Sequence, residues 1–196
     1  MKAFAASGIT FYGGGRTRDG GWQEWPEDGP VDLAIGPHSE VRVRTRSPQG
    51  WLCSRYLPTI IELDWPDMSI PKVPPAFWSA LVTDIKARGI KSVQAQCMGG
   101  HGRTGTALAI FLALMRPEHY DSVDMLVKDL RMLYCENAVE KTSQFEYIAA
   151  ATGLPYHGRI GPSKHYGSAG SSYGYQPQQT LFQPTGADAD AFGAES

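Results

Sequence analysis

Cys97 and Arg103 stand six positions apart, with Gly99, Gly100 and Gly102 between them. A thiol is a strong nucleophile only as a thiolate, and a thiolate needs positive surroundings. Glycines let successive backbone N–H groups turn inward as an anion nest. A helix beginning near Arg103 adds the partial positive charge of its N-terminus. The planar fork of Arg103 matches two oxygens of a phosphate, and the Thr104 hydroxyl is placed to donate to the sulfur. Such a set suits in-line attack of sulfur on a phosphoryl centre, with Met98, Gly99, Gly100, His101, Gly102 and Arg103 forming the phosphate seat. The Cys-x5-Arg spacing by itself is a weak signal, its alternative being a structural cysteine ahead of a helix. The glycines and the position between strand and helix carry the reading.

That position follows from the flanking patterns. Residues 90–96 read as a buried strand running into Cys97, and 103–115 as a helix apolar all round, hence buried. Upstream, Pro74-Pro75 opens a helix in which Phe77, Trp78, Leu81, Val82 and Ile85 share a face and which Gly89 ends. Downstream, a helix over 122–134 carries the stripe Val123, Leu126, Val127, Leu130 and Leu133. Another starts at Ser143, with the capping box Ser143-x-x-Glu146, and stops before Gly153. Strands are expected over 31–35, 40–46 and 59–63, while the Gly-rich residues 1–30 read as irregular with at most a short strand at 9–12. The order strand, helix, strand, loop, helix across 59–115 is an α/β signature with a right-handed crossover.

Cys97-x-x-Gly100-x-Gly102-Arg103-Thr104-Gly105 resembles the signature loop of the protein tyrosine and dual-specificity phosphatase superfamily. One position departs from it: Gln96 stands where the family usually has a His that helps tune the thiolate. Trp65-Pro66-Asp67, with Asp67 30 residues before Cys97, resembles the family's movable loop. The resemblance implies that Asp67 protonates the leaving oxygen and later activates water, with Trp65 and Pro66 as hinge and packing residues. Asp64 is the alternative acid, and a solvated turn is the alternative for Asp67. Trp25-Pro26-Glu27-Asp28 lies too far upstream and reads as a surface turn. Gln144, 47 residues after Cys97, matches the second Gln of a Gln-Thr-x-x-Gln pattern that positions water in many members, with Lys141 in place of the first. Its alternative is a surface residue at a helix start. The implied fold is a mixed central β-sheet flanked by α-helices on both faces. The implied activity is hydrolysis of a phosphorylated protein, on phosphotyrosine or with dual specificity, through a phosphocysteine intermediate and with no metal or cofactor.

The remaining features bound these expectations. A formal charge of -2 offers no electrostatic footprint for nucleic acid, which disfavours the alternative of an RNA 5'-phosphatase. A non-catalytic phosphate-binding or structural protein is the other alternative, but binding alone requires neither a thiol nor an acid. Three cysteines are too few for a disulfide framework, and the N-terminus does not read as a secretory signal. The most apolar run, 107–115, is far short of a membrane span. A cytoplasmic location with no membrane partner is therefore expected. Cys53 and Cys135 read as core thiols, His101 as exposed, and Arg42, Arg44 and Arg46 as a solvated strand face or a rim attracting phosphate. The domain is expected over 31–156. From His157 onward Gly, Ser, Tyr, Gln and Pro dominate, and a disordered tail is expected, with Tyr166, Tyr173 and Tyr175 as candidate phosphorylation sites.

Overall fold

The computed structural model of the chain describes residues 1–15, 31–39, 41–44 and 59–163. Trp22, Trp25, Glu27, Asp28, Arg46, Cys53, Tyr166, Tyr173 and Tyr175 lie outside the described residues, as do the side chains of Arg42 and Arg44. The strands are β1 (Lys2–Ala6), β2 (Ile9–Gly15), β3 (Leu33–His38), β4 (Arg42–Arg44), β5 (Thr59–Asp64) and β6 (Ser92–Cys97). The helices are α1 (Ala76–Ala87), α2 (Gly102–Met115), α3 (Val123–Leu133) and α4 (Thr142–Thr152).

The strands form one mixed sheet in the order β1-β2-β6-β3-β5-β4. The inner pairs β2·β6, β6·β3 and β3·β5 are parallel, and the outer pairs β1·β2 and β5·β4 are antiparallel. The expected α/β fold with a mixed central sheet is what the chain forms. The irregular N-terminus is corrected: residues 2–15 make a hairpin that joins the sheet. Its turn, Ser7-Gly8, holds both residues at positive φ, 51° and 71°, the type I′ geometry that matches strand twist. The Ser-Gly pair between two apolar runs was the legible signal.

Helix α2 is buried over almost its whole length and packs on β6, β2 and β1. The other described helices gather around it, each in contact with α2. Trp78 of α1 is fully buried, stacks edge-on against Phe111 of α2, and donates its indole N–H to the Tyr147 hydroxyl at 3.0 Å. Full burial of a side chain of this size contributes about 1.5–3 kcal/mol. On the sheet's other face Tyr12, Val31, Ala34 and Ile60 form a smaller cluster.

Two local expectations change. The stripe of α3 continues from Leu130 to Tyr134, which is buried, while Leu133 is exposed, because a period of 3.6 carries the buried face to i+4 here. Helix α4 starts at Thr142, one residue early, and is capped from Gln144 rather than by Ser143 and Glu146. The Gln144 carboxamide oxygen accepts the N–H of Glu140 at 2.8 Å and of Lys141 at 3.2 Å.

The chain beyond α4 stays attached further than expected. The Asp124 carboxylate on α3 accepts the backbone N–H groups of His157, Arg159 and Ile160 at 2.8, 2.6 and 2.8 Å. Arg131 donates to the carbonyls of Ala138, Val139 and Gly161. Burial alone would push the Asp124 carboxyl up, but the three N–H donors outweigh it and hold it below the ordinary 3.8. A carboxyl depressed on folding stabilises the fold above its unfolded value and loses that contribution as pH falls through the folded one. Asp124→Asn is expected to lower stability by about 1.5–3 kcal/mol at pH 7. In denaturant titrations the gap from wild type should stay constant down to about pH 5 and narrow below about pH 4.

Candidate active site

Parallel pairing places Gly15, the last residue of β2, opposite Cys97, the last of β6. The loop after Cys97 therefore runs beside the glycine end of β2. Gly100 has φ +76°, and a Cβ there would meet the Gly14 carbonyl carbon at 2.8 Å. A Cβ on Gly15 would meet the Met98 carbonyl oxygen at 2.9 Å. Neither position has room for a side chain, so Gly14 and Gly15 form the back wall of the loop. Three glycines in a row ending a strand are the sequence signal of this close backbone approach.

The Cys97 sulfur is buried and accepts the Gly100 N–H at 3.2 Å. The first turn of α2 follows the loop directly, so its unsatisfied N–H groups lie at the same end of the sheet. Arg103, in that turn, is only 8% exposed. Its Nη1 donates to the Trp65 carbonyl at 3.1 Å, and its Nη2 lies 2.8 Å from the Asp67 carboxylate. The Thr104 hydroxyl does not donate to the sulfur as expected. It has one proton, and that proton goes to the Gly14 carbonyl at 3.2 Å, tying α2 to β2.

Trp65 anchors the segment that carries Asp67. Its ring is buried against Trp78, and its indole N–H donates to the Ser69 carbonyl at 2.9 Å. The Ser69 hydroxyl donates to the Pro66 carbonyl at 2.8 Å, closing a tight turn in which Met68 takes φ +57°. Asp67 stands out from this turn with its side chain 67% exposed. The alternative acid, Asp64, is engaged elsewhere, in an ion pair with Lys72 at 3.0 Å. Gln144 is completely buried rather than a surface residue, and its Nε2 lies 3.4 Å from the Ser69 carbonyl. Its carboxamide thus joins the start of α4 to the Asp67 segment. Gln96 is buried beside Cys97.

Two further groups hold the loop from the α3 side. The Tyr134 hydroxyl donates to the Gly100 carbonyl at 2.6 Å, and His101 Nδ1 lies 3.1 Å from Cys135 Sγ. His101 is therefore half-buried and engaged rather than exposed. Cys135 is also half-buried, and desolvation pushes its thiol up, so it stays protonated.

The protein-tyrosine phosphatase family model matches residues 47–152, more than half of the chain, and the chain belongs to that family. Two uncharacterized proteins of Methanocaldococcus jannaschii are 41% and 40% identical to it over 58 residues. That match covers 30% of this chain and 35% and 33% of theirs, so it spans about a third of the curated relatives. Among solved structures, the chain is similar to Tk-PTP in its active form, at 20% identity and a TM-score of 0.45, covering 66% of this chain and 80% of that one. It is also similar to a protein tyrosine phosphatase of Trypanosoma cruzi, at 18% identity and a TM-score of 0.45, covering 63% and 61%.

The pairing of Asp67 with Arg103 sets an exchange. The carboxylate is exposed, so the pair contributes about 1 kcal/mol or less. A phosphate dianion, were it to engage the fork with two charge-assisted bonds, would outcompete it. Asp67→Ala removes the internal competitor and is expected to tighten tungstate binding by up to about fivefold. Isothermal titration calorimetry checks this, and weaker binding in the variant would show that Asp67 supports the seat instead.

Proposed function

We propose that this chain is a cysteine-dependent phosphomonoester hydrolase acting on phosphorylated proteins, of the tyrosine or dual-specificity type. One observation carries the reading: the buried Cys97 sulfur sits under a backbone N–H at 3.2 Å, next to a buried Arg103 whose fork holds the Asp67 carboxylate at 2.8 Å. Taken as nucleophile, oxyanion clamp and acid, these three residues supply the groups the reaction needs, which supports the reading.

In the proposed reaction the substrate phosphate displaces Asp67 from Arg103. The Cys97 thiolate attacks phosphorus in line with the ester oxygen, forming an S–P bond as the P–O bond breaks. The amides of 98–103 and the guanidinium hold the equatorial oxygens. Asp67, released from the cation, takes up a proton from solvent beside the phosphoryl group and delivers it to the leaving oxygen. Water then attacks the phosphocysteine, giving its proton to Asp67, and the thiolate and inorganic phosphate are restored. Gln144 acts in this second step by orienting the segment that carries Asp67 and, with it, the water. The Trp65-Pro66-Asp67 segment is the part that moves.

The loop presents Met98 and His101 and no lysine, which supports a phosphoprotein over a more highly charged substrate. Exposed Met98, and exposed Met68 and Ile70 beyond Asp67, offer apolar surface for an aromatic ester. No helix among the described residues is long and apolar enough to cross a membrane. A cytoplasmic setting fits the chemistry, since a reducing compartment keeps Cys97 as a free thiol.

Hydrolysis of a phosphotyrosine peptide, a phosphothreonine peptide and a 5'-triphosphate RNA, each with and without vanadate, tests the proposal. Vanadate-sensitive release of phosphate from the phosphotyrosine peptide is expected. Cleavage of the RNA alone, or of nothing, overturns it. Cys97→Ser should lose at least about a thousandfold in kcat. Asp67→Ala should lose about 10²–10⁴ on alkyl esters and less on esters with good leaving groups.

A further inference from the structure

We propose that Tyr134 and Cys135, consecutive residues at the end of α3, are positioning residues that aim the His101 N–H into the phosphate seat. The proposal rests on the reading of 97–103 as a phosphoryl-binding loop. The peptide between Gly100 and His101 is the part of the loop that glycine leaves free to turn, since Gly100 at φ +76° has no side chain to bias it. Two contacts from the end of α3 hold that peptide, one at each of its two residues. The Gly100 carbonyl accepts the Tyr134 hydroxyl at 2.6 Å, and the His101 ring meets Cys135 Sγ at 3.1 Å. A trans peptide is planar, with its C=O and N–H pointing in opposite directions. Drawing the Gly100 carbonyl toward Tyr134 therefore turns the His101 N–H away from the Tyr134 hydroxyl, and in the proposed arrangement it joins the Gly100 N–H, which already faces Cys97 Sγ, in the nest.

Tyr134 is built into this place. Its ring occupies the space that a Cβ on Gly13 would need, so the first glycine of the β2 triplet makes room for the brace. The residue is buried, and burial above all pushes its phenol up, so the hydroxyl remains a donor across the working pH range. Cys135 and Cys97 push it up further.

Tyr134→Phe keeps the ring and removes the hydroxyl. With p-nitrophenyl phosphate, kcat is expected to fall about ten- to a hundredfold, and the tungstate Kd to rise about tenfold, from a poorly aimed oxyanion donor. Cys135→Val should act in the same direction, and Cys135→Ser, which keeps a hydrogen-bonding partner for His101, should restore most of the loss. A merely structural role lowers Tm and leaves kcat, KM and the tungstate Kd unchanged, and that result overturns the inference. If Tyr134→Phe does not fold, the Cys135→Val and Cys135→Ser pair carries the test alone, and equal kinetics in both variants and wild type overturns it. Wild type that neither hydrolyses the ester nor binds tungstate would instead overturn the functional reading.

Discussion

Backbone pressed against backbone underlies this site. The parallel pairing of β2 with β6 ends with Gly15 opposite Cys97, and the loop then turns across Gly14 and Gly15 at a distance that admits no Cβ. An anion nest works only if its amides stay inward when no anion is bound, and isolated glycines would not hold them there. The wall of β2, the Thr104 bond to Gly14 and the Tyr134 bond to Gly100 restrain the loop and the start of α2. The N-terminal hairpin thus walls the loop after Cys97, although it lies outside the residues matched by the family model.

Arg103 links the loop to the rest of the chemistry. It is buried, which fixes where its fork lies, and both ends of the fork reach the segment of Trp65 and Asp67. The asymmetry of the ion pair matters: a buried cation stays in place, while an exposed carboxylate is easily exchanged. Trp65 holds the base of its segment against Trp78, and Asp67 stands exposed from the turn that follows. Gln144 touches the same segment from α4 through Ser69, so the start of α4 and the Asp67 segment are mechanically connected.

Much of this was legible in the residues, and the misses have a common cause. Cys97, Arg103 and Asp67 were singled out because glycine content, a strand running into a helix and a rare tripeptide are local features. The helices appeared within a residue or two, since periodicity, Pro75 and Gly153 act over one turn. The hairpin of β1 and β2 was overlooked because three glycines outweighed the alternation before them, although the Ser-Gly turn was there to be read. A surface position is the alternative for Gln144 and the expectation for His101, because a helix start and a loop are usually exposed, and nothing nearby in sequence says what packs over them.

What the sequence by itself determined is the chemistry available: one thiol in a glycine nest at a helix N-terminus, a guanidinium six residues on, and a carboxyl on a tight turn. Each depends on backbone preferences within a few residues. Only the tertiary structure decided which groups meet. It set Asp67 rather than Asp64 on Arg103, sent the Thr104 proton to Gly14 instead of the sulfur, buried Gln144, and brought Tyr134 and Cys135 against the loop. Those choices follow from sheet order and from helices packing around α2. Contacts between residues far apart in the chain leave no period or spacing in the sequence from which to read them.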